Sequence, residues 1–208
     1  MTCDRTRSVR GTFDGMAARR GHGHIWTRRA AAQSLILLAA AAAFSSPAAA
    51  ASSRCAHASA APAHLSTPAA SHALRCLING VRRAHHLRPV RAERHLRSAA
   101  RRHADDMVGR DYFAHASPGG TTMASRVKHA GYLHSAREWW LGEALAWGNG
   151  GAGAPQAILR GLLNSPPHRA ILLDPGFRDL GIGIARGAPQ GAGAGALTIA
   201  LDFGRVRR

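Results

Sequence analysis

Apolar residues first fall into register at Leu74, Leu77, Ile78 and Val81, positions i, i+3, i+4 and i+7 of one helical face, with Arg75, Arg82 and Arg83 placed off it. The pattern predicts a helix from Ser71 that ends before Pro89. Leu96, Ala99, Ala100, His103 and Met107 repeat the spacing in a second helix that Gly109 stops. Thr121 or Thr122 can cap a short third helix carrying Met123, Arg126 and Val127 up to Gly131. Glu138 to Trp147 reads as a strand delivering Gly142-Glu143, followed by a glycine loop. A fourth helix runs from Ala154 to Asn164 on Ile158, Leu159, Leu162 and Leu163, and Ser165-Pro166-Pro167 stops it and places His168. The end of the chain alternates large and small residues from Asp179 to Ala185 and resumes at Leu197 to Phe203, an antiparallel hairpin with a glycine-rich connection. Helices with a few strands and no βαβ rhythm predict an α+β fold, helices covering an antiparallel sheet.

The chain ahead of these elements is of another kind. Arg28 and Arg29 precede an apolar run that closes in Ser45-Ser46-Pro47-Ala48-Ala49-Ala50. A basic flank, an apolar core and an Ala-x-Ala exit predict a signal peptide over residues 1–50. At roughly 15 residues the run is short of the ~20 that a membrane span needs, so no transmembrane span is expected after its removal. Residues 51–70 are Ala, Ser, Pro and His with almost no large apolar side chain, and read as a flexible lead-in to a domain over 71–208.

Of the three cysteines, Cys3 leaves with such a leader; Cys55 and Cys76 remain, and in an exported protein an even pair reads as a disulfide. Charge adds a partner class. The 208 residues carry 28 basic and 11 acidic side chains, a net +17; 21 and 9 of these follow residue 50, leaving +12. Such a surface suits anionic partners such as lipid headgroups or acidic cell-wall polymers. No basic run interleaved with exposed aromatics appears, so no specific nucleic-acid platform is expected. The glycine loop lacks the Gly-Lys-Ser/Thr ending of a phosphate cradle.

Among 13 histidines, His115 and His168 stand out. Each of His115, Glu143 and His168 adjoins a turn-forming Pro or Gly at the end of a predicted element. Two imidazoles and a carboxylate suit a zinc ion completed by water; they equally suit general acid–base catalysis, or a buried hydrogen-bonded cluster with neither metal nor turnover. His103, on an apolar face, reads as a buried group holding a backbone carbonyl. Ser117, in Ser-Pro-Gly-Gly, lacks a nucleophile-elbow setting and reads as a turn residue.

Leu77-Ile78-Asn79-Gly80-Val81-Arg82, Phe113-Ala114-His115-Ala116-Ser117-Pro118-Gly119-Gly120, Gly142-Glu143, Ser165-Pro166-Pro167-His168-Arg169, Leu180-Gly181-Ile182-Gly183 and Asp202-Phe203-Gly204 follow one another in an order that resembles the CAP superfamily, or SCP domain, in its short bacterial form. The resemblance spans residues 74–204. It implies a three-layer α-β-α sandwich with a central antiparallel sheet and a cleft in which His115, Glu143 and His168 match the family's site residues, with zinc as the optional metal. Ala144 stands where the family carries asparagine, and no second glutamate lies between Glu143 and Asp174. The function expected from the resemblance is a secreted protein, extracellular or held at the cell envelope by its charge, whose His/Glu/His cleft binds a lipid, sterol or cell-envelope component. The alternative is a metal-dependent or acid–base hydrolase of peptides or esters using the same cleft.

Overall fold

The computed structural model describes residues 55–191 and 195–208, together with the backbone of 8–12. The expected leader over 1–50 lies outside the described residues except for Ser8–Thr12. No helix among the described residues is long and apolar enough to cross a membrane.

The helices form where the apolar spacing places them, with ends set by local chemistry. Helix α1, Thr67–Ala84, starts four residues earlier than the periodicity alone indicates. Ser66 caps it by accepting from Ala69 N, and Pro68 sits in the first turn, where a missing N–H costs nothing. Helix α2, Arg94–Gly109, is capped by the Glu93 carboxylate, 2.7 Å from Leu96 N. Helix α3, Met123–His129, takes Thr122 as its cap. Helix α4, Pro155–Asn164, is followed by α5, Pro166–Leu172, which replaces the simple stop expected at Ser165-Pro166-Pro167. Two prolines that break a helix internally are tolerated in its first turn.

Among the described residues five strands make one sheet in the order β1-β3-β5-β4-β2: β1 Ser8–Thr12, β2 Arg91–Ala92, β3 Glu138–Gly148, β4 Asp179–Arg186 and β5 Leu197–Arg207. The expected hairpin is β4–β5, antiparallel from Asp179↔Gly204 to Arg186↔Leu197, and β5 also pairs along the whole of β3. Because side chains alternate across a strand, each strand has two distinct faces. On β4, Leu180, Ile182 and Ile184 enter the main core with α1, α4 and α5. Gly181 and Gly183 face α2. A Cβ on either would lie 2.1 Å from the carbonyl carbon of Leu96 or Ala100, so the helix backbone rests directly on the strand. Helix α3 packs beside α2 through Val127 against Leu96 and Ala99. Helices therefore cover both faces of the sheet, the α+β three-layer sandwich.

Two expectations change. Residues 55–65 do not behave as a loose lead-in. The disulfide Cys55–Cys76 ties them to α1, Ala58 O accepts from Gln156 N, Arg186 donates to Pro62 O and Leu65 O, and Leu65 is buried. Arg82, placed off the apolar face by spacing, is wholly buried. Its guanidinium donates to the carbonyls of Arg88, Leu172 and Asp174 at 2.7–3.1 Å, closing the turns around α5 with side-chain hydrogen bonds.

Candidate functional site: a buried glutamate between arginine and histidine

Strand β3 sets the site by the same alternation. Ala144 and Ala146 enter the main core, so Leu141, Glu143 and Leu145 point the other way, toward α2. Close packing at the preceding residue fixes the strand, since a Cβ on Gly142 would meet Phe177 at 2.8 Å. Glu143 is 1% exposed. Its Oε1 accepts from His115 Nδ1 at 2.7 Å and its Oε2 from Arg126 at 2.6 Å.

His115 is held by the loop between α2 and α3. Ser117 N donates to Thr121 O and Gly120 N to Ser117 O, with Gly120 at φ +81°. A glycine takes that left-handed conformation without the steric cost of a Cβ. Arg126 then draws the loop inward by donating to Thr121 O and His115 O as well as to Glu143. One guanidinium thus neutralises the buried carboxylate and closes the loop that carries its histidine. Ser117, as expected, is a turn residue; its hydroxyl donates to Tyr112 OH, 3.1 Å away, whose own proton goes to Asp106.

Two further titratable groups complete the cluster. His103 Nε2 donates to Ala114 O at 3.0 Å, the carbonyl-holding role expected of it, and lies 3.9 Å from Glu143 Oε2. Burial lowers its pKa to about 4, against the raising influence of Glu143, so it is neutral at pH 7. Asp202 stands directly opposite Glu143 in the β3–β5 register and is fully buried. Its carboxyl hydrogen-bonds that of Glu143. Burial, reinforced by the adjacent Glu143 carboxylate, raises its pKa well above the usual carboxylate range. For Glu143 burial acts in the same upward direction, but the His115 hydrogen bond and the charge of Arg126 outweigh it and the net shift is downward. The proton of the pair therefore resides on Asp202 and the negative charge on Glu143.

Of the three expected site residues, hydrogen bonding joins His115 to Glu143. His168 is buried on α5, its Nδ1 2.7 Å from Ser165 Oγ, in a helix whose Ile171 and Leu172 belong to the core on the other face of the sheet. Among the described residues no three His, Cys, Asp or Glu side chains gather as a metal-holding group. Of the three residues expected to hold zinc, Glu143 already has Oε1 engaged by His115 and Oε2 by the cationic guanidinium of Arg126. Arg126, His103 and Asp202 were not in the expected set. Arg126 could have been found, since it falls with Met123 and Val127 on the face of α3 that must be buried.

Beside the cluster opens a cleft of about 470 Å³, walled by Arg102, Asp106, Arg110, Ser117, Ser125 and His129, with His103 and Arg126 at its base. Its chemistry is polar and cationic. Asp106, the wall's acid, is engaged by Tyr112 OH and lies 3.6 Å from Arg110.

The sequence model of the cysteine-rich secretory protein family, CAP, matches residues 76–200. The chain belongs to the CAP family. Uncharacterized protein YkwD of Bacillus subtilis is 29% identical to this CAP chain over 107 residues, 51% of this chain and 39% of that protein; the match thus spans well under half of its relative's length. Solved structures share the fold. An extracellular SCP-domain protein of Bacillus anthracis aligns with TM-score 0.51 and 23% identity over 69% of this chain and 44% of its own. An outer surface protein of Borrelia burgdorferi aligns with TM-score 0.58 and 20% identity over 69% and 97% respectively.

Proposed function

We propose that this CAP protein is a secreted or envelope-surface binding protein whose cleft beside His115 receives the anionic headgroup of an envelope lipid or another acidic envelope component. The observation that carries this reading is the state of Glu143: buried, paired with Arg126 and His115, and committed to shaping the loop that walls the cleft. What the cleft offers a ligand is Arg102, Arg110 and His129 with hydroxyls between them. The extracellular and outer-surface descriptions of the two structural relatives favour such a location, as do the basic charge and the expected leader.

The test is sedimentation with vesicles containing anionic headgroups across a salt series. Binding falls as salt rises, because exposed charge pairs are screened, and falls again in Arg102→Glu/Arg110→Glu. Equal binding to neutral vesicles, or an unaffected variant, overturns the reading. A second reading, hydrolysis of a peptide or ester, rests on the 2.7 Å His115–Glu143 pair, which can orient an imidazole base. Any such activity of the purified protein must vanish in Glu143→Gln; activity that survives belongs elsewhere.

A further inference from the structure

A groove of about 670 Å³ lies away from the Glu143 cluster, along the outer edge of β4 between α1 and α2. Strand β2 covers only the first residues of that edge, pairing Arg91 and Ala92 with Asp179 and Leu180. Within a strand, each residue's N–H and C=O point to one side and those of the next residue to the other. Leu180 O accepts from Glu93 N and so points toward β2. Ile182 and Ile184 share that parity and direct their backbone groups the same way, into the groove, where no strand pairs with β4 among the described residues. The side chains of Leu180, Ile182 and Ile184 are 2%, 6% and 2% exposed. The floor therefore presents peptide groups rather than an apolar bed, which disfavours an acyl chain as occupant.

The rims are arginine. Arg94, Arg97 and Arg101 fall at i, i+3 and i+7 on α2, one exposed row about 10 Å long at 1.5 Å per residue, and Arg75 faces them from α1. Arg101 is paired with Asp105, whereas Arg75, Arg94 and Arg97 have no acidic partner among the described residues. The lining's carboxylate, Glu93, is turned onto Leu96 N as a helix cap. A second copy of this edge would bring like charge against like, so edge-to-edge pairing with itself is disfavoured.

We infer that the β4 edge is a docking site for an extended acidic peptide segment that adds to the sheet as a strand. Its backbone pairs with Ile182 and Ile184. Its acidic side chains, directed alternately to the two faces, meet the α2 arginines on one side and Arg75 on the other. At about 3.3 Å per residue, a segment of roughly four residues matches the arginine row.

The experiment uses the purified full chain and a fluorescent peptide of about eight residues repeating Glu-Glu-Thr-Thr, which puts glutamates on both faces of a strand, read by anisotropy. A second peptide carries the same charges but is N-methylated at alternate residues, which removes the N–H groups a strand would donate. The expected result is saturable binding of the first peptide, weakened at least about tenfold by N-methylation and by Arg75→Glu/Arg97→Glu, with circular dichroism verifying that the variant folds. Arg102→Glu, in the other cleft, leaves peptide binding unchanged. Absence of binding, equal affinity for the N-methylated peptide, an unaffected Arg75/Arg97 variant, loss on Arg102→Glu, or displacement by charge-matched polygalacturonate or by phosphatidylglycerol vesicles overturns it. Those outcomes mean general charge attraction or no site at all. Vesicle binding through the His115 cleft depends on Arg102 and Arg110 instead, so the two proposals fail separately.

Discussion

Asp202 gives the buried cluster its sharpest consequence for stability. Its carboxyl keeps a proton in the folded state that the unfolded chain releases above its ordinary pKa of 3.8. As pH rises from that value, the unfolded form gains what the folded form cannot, and stability falls until pH reaches the raised folded value. Asp202→Asn keeps the shape without the proton equilibrium. Its melting temperature should exceed the wild type's at pH 7, and the difference should shrink to nothing as pH approaches 3.8. A variant no more stable at pH 7 would mean that Asp202 is ionised in the fold. Sequence reading reached this neighbourhood only in part. His115 and Glu143 could be singled out because turns and apolar neighbours flank them. Asp202 was invisible as a site residue because β5 is buried on both faces from Leu197 to Gly204, leaving no alternation to mark an acid as misplaced. Arg82 misled for a related reason: a long side chain starting near the edge of an apolar stripe can swing underneath and find carbonyls that only the folded chain assembles.

At the scale of elements, periodicity served well wherever one face meets the core and the other meets water. It located α1, α2, α3, α4 and the β4–β5 hairpin to within a few residues. It failed on α5, where Pro166 and Pro167 read as a helix stop and instead begin a helix, and on β2, whose two residues are too few to show a pattern. The alternation of glycine with isoleucine on β4 was legible as a strand, but not as the seat of a helix. Adding a methyl at Gly183 forces α2 off the strand, since the nearest atoms are backbone at 2.1–2.3 Å and cannot rotate away. Gly183→Ala should therefore cost at least about 3 kcal/mol, the upper end of overpacking effects, measurable by chemical denaturation. A loss under about 1 kcal/mol would show that the helix can slide.

For the whole molecule, the fold class and the layering were legible because the elements follow an ordered series, whereas the ordering of residues 55–65 was not. Residues 55–65 have a composition too poor to order themselves. They are ordered by a covalent bond to α1 and by Arg186, both contributed from elsewhere in the chain. Replacing Cys55 and Cys76 by serine should lower stability by about 3 kcal/mol, the chain-entropy value for a loop of about 20 residues. It should also expose the segment ahead of α1 to protease before the rest unfolds. Unchanged proteolysis would show that the non-covalent contacts suffice.

The strand order has one more consequence. The middle strand, β5, comes after the other strands in chain order, and among the described residues β3 and β4 are joined through it. A chain lacking β5 can form its helices, but β3 and β4 then have no shared partner to bring them into one sheet. Premature termination anywhere before Leu197 removes the centre of the protein rather than its edge.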